Sequence, residues 1–199
     1  RAGGVVVGED LGVVPAYVSK SLSEHGILGC AVEWFEQFDG VFRAPKDWRP
    51  YALASVNTHD LPPAAGYLEY EHVKLREQLG LLSGPVEEFK KSAEAEHNAM
   101  LNMLVKEGYL DADVLEDELA NENEIIDALY RGLKGSPCKL MAASIVDAVG
   151  EKRTQNQPGT CNEYPNWRIP LADGDGNVVP LEELFGNTRL QEIAAIMRG

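Results

Sequence analysis

Glu9 and Asp10 end the apolar run Val5-Val6-Val7-Gly8, and His59 and Asp60 end the run Leu53-Ala54-Ser55-Val56-Asn57-Thr58. A carboxyl group held at such a position can donate or accept a proton in a cleft, provided that a buried strand carries it to the surface. Parallel α/β barrels place catalytic side chains in this way, at the C-terminal tips of strands buried on both faces. The same acids can also serve as helix caps or salt-bridge partners, and each motif alone leaves that reading open. Glu9, His59 and Asp60 could be drawn together as metal ligands. However, no second histidine stands at helical spacing, and His25, His72 and His97 lie in unrelated contexts, so no metal is expected. No Gly-rich phosphate loop or Ser-centred nucleophile elbow occurs, and no cofactor is expected.

The elements that must position these residues alternate between strands and helices. Val5 to Val7 reads as a strand. Pro15 then stands at a first helical position and Gly26 at a stop, with Tyr17, Val18 and Leu22 at helical spacing between them. A second strand runs through Ala31 to Phe35. An aromatic-rich loop broken by Pro45 and Pro50 follows, and a third strand ends at Asn57. Val86, Phe89, Ala93, Met100, Leu101 and Leu104 keep to one helical stripe between Pro85 and Gly108. Ile125, Ile126, Leu129 and Leu133 form another, closed by Gly135. Lys139 to Val146 reads as a fourth strand ending at Asp147, residues 158–177 as irregular, and Asn187 as the cap of a last helix. Four strands alternating with helices imply parallel β/α units, so the expected fold is α/β, the second half of a TIM-type barrel with a helical insertion at about 69–134.

At 199 residues the chain is shorter than a complete barrel of about 250. A net charge of −14 argues against nucleic acid, whose phosphates would be repelled, and no apolar run could span a membrane. Cys30, Cys138 and Cys161 cannot all pair and show no metal-ligand spacing, which points to a reducing, cytoplasmic compartment.

These motifs resemble the 4-α-glucanotransferases, also called amylomaltases or disproportionating enzymes, of glycoside hydrolase family 77. Gly8 to Gly12 is similar to the segment that ends the family's fifth barrel strand, and Thr58 to Asp60 to the one that ends its seventh. His25 to Gly29, leading into Val32 to Phe35, resembles the sixth strand. Asn156 to Thr160 and Tyr164 to Arg168 are similar to the loop after the eighth strand and to the segment that follows it. The resemblance implies a retaining transfer of α-1,4-glucan segments between maltodextrins. Glu9 would then be the general acid/base, and Asp60 the carboxylate that holds the 2- and 3-hydroxyls of the sugar at the cleavage point. His59 would donate to the same sugar, Asn156 would bind a hydroxyl, and Phe35 would be a stacking aromatic. Trp34 and Trp48 could stack or belong to the core. Asp10 would bond backbone or supporting groups, because neighbouring residues at a strand tip face opposite ways.

One departure stands out. The family's nucleophile lies in an Arg-x-Asp-His segment, and no such segment exists here. Together with a start at Arg1-Ala2-Gly3-Gly4 directly before a strand, this implies the C-terminal part of a longer enzyme. The fragment would be inactive alone, would need the N-terminal half as a partner, and would be prone to self-association through open strand edges. The rival readings are a non-catalytic glucan-binding or assembly module and a hydrolase of the α-amylase clan.

Overall fold

In the computed structural model, residues 3–199 are described; Arg1 and Ala2, part of the start from which truncation was expected, lie outside them. Val7 forms a single parallel bridge to Leu28, held by Gly8 N–H to Leu28 O at 2.7 Å and Leu28 N–H to Val6 O at 3.0 Å. Helix α1 (Ala16–Glu24) connects this tip to strand β1 (Gly29–Val32). A hairpin of β2 (Gln37–Phe38) and β3 (Val41–Phe42) turns on Asp39 and Gly40, both at positive φ as tight hairpins require. Strand β4 (Ala52–Ser55) follows, then helices α2 (Ala64–Leu68), α3 (Glu71–Gln78), α4 (Val86–Lys106) and α5 (Glu122–Gly135). The chain returns through β5 (Leu140–Met141), α6 (Ile145–Val149), a bridge between Ala172 and Val178, and helices α7 (Leu181–Leu184) and α8 (Thr188–Arg198). The Asn187 side chain caps α8 by accepting from Leu190 N–H at 2.9 Å, as the sequence implies.

The sheet is parallel, in the order β1-β4-β5, with Gly29 opposite Ala52 and Leu53 opposite Leu140. Four full strands were expected; three form, and the first is reduced to the Val7 bridge. Val5, Val6 and Val7 are 69, 59 and 36% exposed, so this segment pairs on one side and no layer covers it among the described residues. The second strand stops at Val32, and Glu33–Phe35 winds into a 3-10 turn. The fourth ends at Met141, because Asp147, expected at a strand tip, is drawn inward with α6.

Strand β4 explains where the core sits. Ala52, Ala54 and Val56 are buried, whereas Leu53 and Ser55 between them are only partly covered. A strand's side chains alternate between faces, so one face of the sheet is packed and the other is not. The packed face meets Met100, Leu101 and Leu104 of α4, Ile125, Ile126, Leu129 and Leu133 of α5, and Ile193 of α8. Trp34 and Trp48 belong to this core. Among the described residues no helix is long and apolar enough to cross a membrane.

Asp10 ties the first tip to this sheet. Its carboxylate, 1% exposed, takes two bonds from Arg49 (Nη1 to Oδ2 at 2.6 Å, Nη2 to Oδ1 at 2.7 Å) and one from Cys30 N–H at 2.8 Å. Arg49 also donates to the Cys30 carbonyl. Gly29 is needed beneath the pair, since a Cβ there would stand 2.7 Å from both Arg49 Nη1 and Asp10 Oδ2. Burial raises the Asp10 pKa, but the Arg49 bonds and charge and the Cys30 amide outweigh it and hold the carboxyl below its ordinary value.

Breaking a fully buried pair costs roughly 3–5 kcal/mol. Arg49 keeps about a third of its surface in water, so Asp10→Ala is expected to lower stability by about 2 kcal/mol in urea titrations near neutral pH. A depressed folded pKa gives stability that is present above the ordinary value of 3.8 and lost as pH falls through the folded one. The difference between Asp10→Ala and the parent chain should therefore shrink in acid; a gap that persists unchanged there would rule out this origin.

Candidate active site

The β4 strand runs out through Val56 into residues 57–63, which carry His59 and Asp60 to the C-terminal end of the sheet. Asp60 N–H bonds Thr58 Oγ1 at 3.3 Å and Leu61 N–H bonds Thr58 O at 3.2 Å, so the loop turns tightly on Thr58. Asn156 meets it from the far end of the chain. Its side-chain amide donates to Asp60 Oδ1 at 2.6 Å and its N–H to the His59 carbonyl at 3.1 Å. His59 Nε2 stands 3.3 Å from the same Asp60 oxygen. Three of the expected site residues, His59, Asp60 and Asn156, thus form one cluster across 96 residues of sequence.

Two hollows flank this loop. One, of about 320 Å³, opens between the tips of β4 and β5 and is lined by Asn57, Thr58, His59, Ala142, Ser144 and Gln155. The other, of about 500 Å³, contains Asp60 and Phe35 beside Tyr67, His72, Arg76 and Gln157. Phe35 is half exposed and faces the same hollow as Asp60, as a stacking ring would need. Trp34, Tyr67 and His72 form a stack in this wall, with centroids 3.9 Å and 5.2 Å apart and nearly parallel planes. Burial, then the Arg76 charge, lowers the His72 pKa to about 4, so its ring is neutral at pH 7.

Glu9 follows the Val7 bridge, at the same end of the parallel sheet as the tip of β4. It is exposed at the Val7 tip and lines neither hollow. The thiol pKa of Cys30 is raised by burial first and then by the charges of Asp10 and Glu9. Among the described residues no group of three or more His, Cys, Asp and Glu side chains is arranged to hold a metal ion.

Two residues escaped the sequence reading. Trp167, 64% exposed, sets its ring 5.1 Å from that of His59 and adopts φ 59, a region that bulky residues rarely enter. The Tyr164 to Arg168 segment was visible as a motif, but nothing local brought its tryptophan to His59. The other is Asp147, read as a strand tip and found buried, accepting from Asn57, Ala64 and Tyr130.

With this geometry in view, the chain is an α/β protein with a carboxylate, a histidine and an amide gathered at parallel strand tips. The family profile described as 4-alpha-glucanotransferase matches residues 1–174. The 4-alpha-glucanotransferase of Mycobacterium tuberculosis is 47% identical over 203 residues, which cover all of this chain and 28% of that protein. The Haemophilus influenzae 4-alpha-glucanotransferase is 31% identical over 190 residues, covering 94% of this chain and 26% of that protein. The crystal structure of amylomaltase from Corynebacterium glutamicum superposes with a TM-score of 0.90 at 38% identity, covering 98% of this chain and 29% of that one. The chain belongs to the 4-alpha-glucanotransferase family, glycoside hydrolase family 77. It spans under a third of the length of these relatives.

Two residues before Phe35, Glu33 is wholly buried, and neither carboxyl oxygen finds a hydrogen-bond partner among the described residues. Burial, then the nearby Glu36 charge, pushes its pKa up to about 8. The folded chain thus holds a proton that the unfolded chain releases near 4.5, so stability is full below that pH and falls as pH rises through about 8. Asp147, also pushed up by burial, adds a slope of the same sign. Glu33→Gln should remove the Glu33 part, raising the melting temperature relative to the parent more at pH 8 than at pH 5. Parallel melting curves across that range would contradict the assignment.

Proposed function

We propose that this chain is the C-terminal part of the catalytic barrel of a 4-α-glucanotransferase that transfers α-1,4-glucan segments between maltodextrins with retention. The observation that carries this reading is the convergence of His59, Asp60 and Asn156 on one strand tip in a chain of this family. Asp60 would accept from two hydroxyls of the sugar at the cleavage point. Such bonds accelerate transfer when they tighten in the oxocarbenium-like transition state. Its bond from Asn156 fixes the aim of the carboxylate, and Asn156 can pass a second N–H to the sugar. His59 would donate to the same ring. Phe35 and Trp167, both exposed, offer apolar faces for glucose units.

Glu9 is assigned as the general acid/base, which protonates the departing glucan oxygen and takes the proton back from the incoming 4-hydroxyl. The nucleophilic aspartate would come from chain outside these 199 residues, since no Arg-x-Asp-His segment occurs within them. The exposed Val5, Val6 and Val7 and the half-covered Leu53 fit an inner barrel face awaiting that partner. Helices α3 to α5, across 69–134, would be an insertion covering the barrel. The three free cysteines fit a reducing cytoplasm.

One observation favours a second reading, a non-catalytic glucan-binding module: Glu9 lines neither hollow that holds His59 or Asp60. Mutation separates the two. In the complete enzyme carrying this chain, Glu9→Gln should reduce disproportionation of maltotriose at least about 100-fold while maltodextrin binding persists. Unchanged turnover would remove Glu9 from its role. The 199-residue chain alone should form no longer dextrins from maltotriose, and light scattering should find it self-associated through its uncovered sheet face. Transfer by the chain alone would refute the need for an outside nucleophile.

A further inference from the structure

The loop that carries His59 and Asp60 is tied at both ends to one buried side chain. Asn57, at its start, donates its side-chain amide to Asp147 Oδ1 at 2.9 Å and to Oδ2 at 3.0 Å. Ala64, at its end and the first residue of α2, donates its N–H to Asp147 Oδ1 at 2.7 Å. Tyr130 of α5 donates its hydroxyl to Oδ2 at 2.6 Å and accepts from Ser144 N–H at 3.0 Å. Asp147 is 2% exposed, and the groups that act on its carboxyl are Tyr130, Ala64 and Asn57, with no cation among the described residues. Three donors therefore carry a desolvated carboxyl group whose removal from water is otherwise costly. A hydrophobic side chain would fill the same space without that demand, so packing alone does not account for an acid here.

The geometry points to Asp147, oriented by Tyr130, as the positioning residue that fixes the span of residues 57–64 and so the placement of His59 and Asp60. This rests on the reading of Asp60 as a sugar-binding carboxylate. Neither Asp147 nor Tyr130 lines the hollow that holds Asp60. Their effect passes through the loop base: with Asn57 and Ala64 held on one carboxylate, the residues between can vary only within a closed loop. Released, the loop keeps its Thr58 turn and the Asn156 contacts but loses its footing on α6.

A displacement of about 1 Å at a reacting centre can lower turnover 100-fold. In the complete enzyme, Tyr130→Phe, Asn57→Asp and Asp147→Asn are each expected to lower kcat at least about 10-fold per folded molecule, with KM changed less than about two-fold. Asn57→Asp sets two carboxylates against each other. Combining it with Asp147→Asn restores a donor–acceptor pair and should recover most of the lost kcat. A merely structural role predicts lower melting temperatures with kcat per folded molecule intact, and that result would overturn the proposal. If Asp147→Asn does not fold, Tyr130→Phe and Asn57→Asp decide the matter in the same way. Should Asp60→Asn retain full turnover, the sugar-binding reading fails by itself. Amide exchange at residues 58–61, the loop positions before Pro62 and Pro63 that carry an N–H, then decides: about 10-fold faster exchange in Tyr130→Phe upholds the clamp, and unchanged exchange refutes it.

Discussion

A carboxylate taken out of water must be met by donors, and this constraint organises the molecule. Asp10, Asp147 and Glu151 are each buried, and each gathers donors from segments far apart in sequence. Asp10 joins the Val7 tip to Cys30 and Arg49. Asp147 joins the end of β4, the start of α2 and the middle of α5. Glu151 takes the Arg153 guanidinium at 2.7 and 2.9 Å and the Ala172 amide at 3.0 Å, which anchors the C-terminal hairpin segment. With strands of only two to four residues, the sheet has few ladder bonds of its own. The acids supply directional links where the backbone supplies few.

Glu33 is the contrast. It has the burial of the other three and none of their partners, so it remains a protonated acid at neutral pH. It sits where β1 turns into the Glu33–Phe35 segment, two residues before the Phe35 ring that faces the Asp60 hollow. Gly66 shows a different kind of constraint in the same region. A Cβ there would collide with the Lys152 carbonyl, so only glycine lets α2 approach the 150s segment that brings in Asn156.

Much of the architecture was legible because periodicity is local. The stripes from Val86 to Leu104 and from Ile125 to Leu133 appear as α4 and α5, and Asn187 caps α8. The strands were less legible. Val5 to Val7 has the composition of a buried strand, but it pairs on one side only and stays exposed. Lys139 to Val146 is apolar enough for a strand, yet Asp147 and its donors pull its second half into α6. A short apolar run does not state which of its neighbours will be present to pair with it.

The site divides along the same line. His59, Asp60, Asn156, Phe35 and Glu9 could be named as candidates from motifs, because each motif is a contiguous run of residues that resembles the family's. That Asn156 reaches Asp60, that Trp167 lies against His59, and that Asp147 holds both ends of their loop are contacts between residues up to 108 positions apart. Sequence by itself determined the chemical groups, the helical stripes and the family. The tertiary structure alone decided which groups meet, because burial and long-range hydrogen bonds depend on the packing of the whole chain.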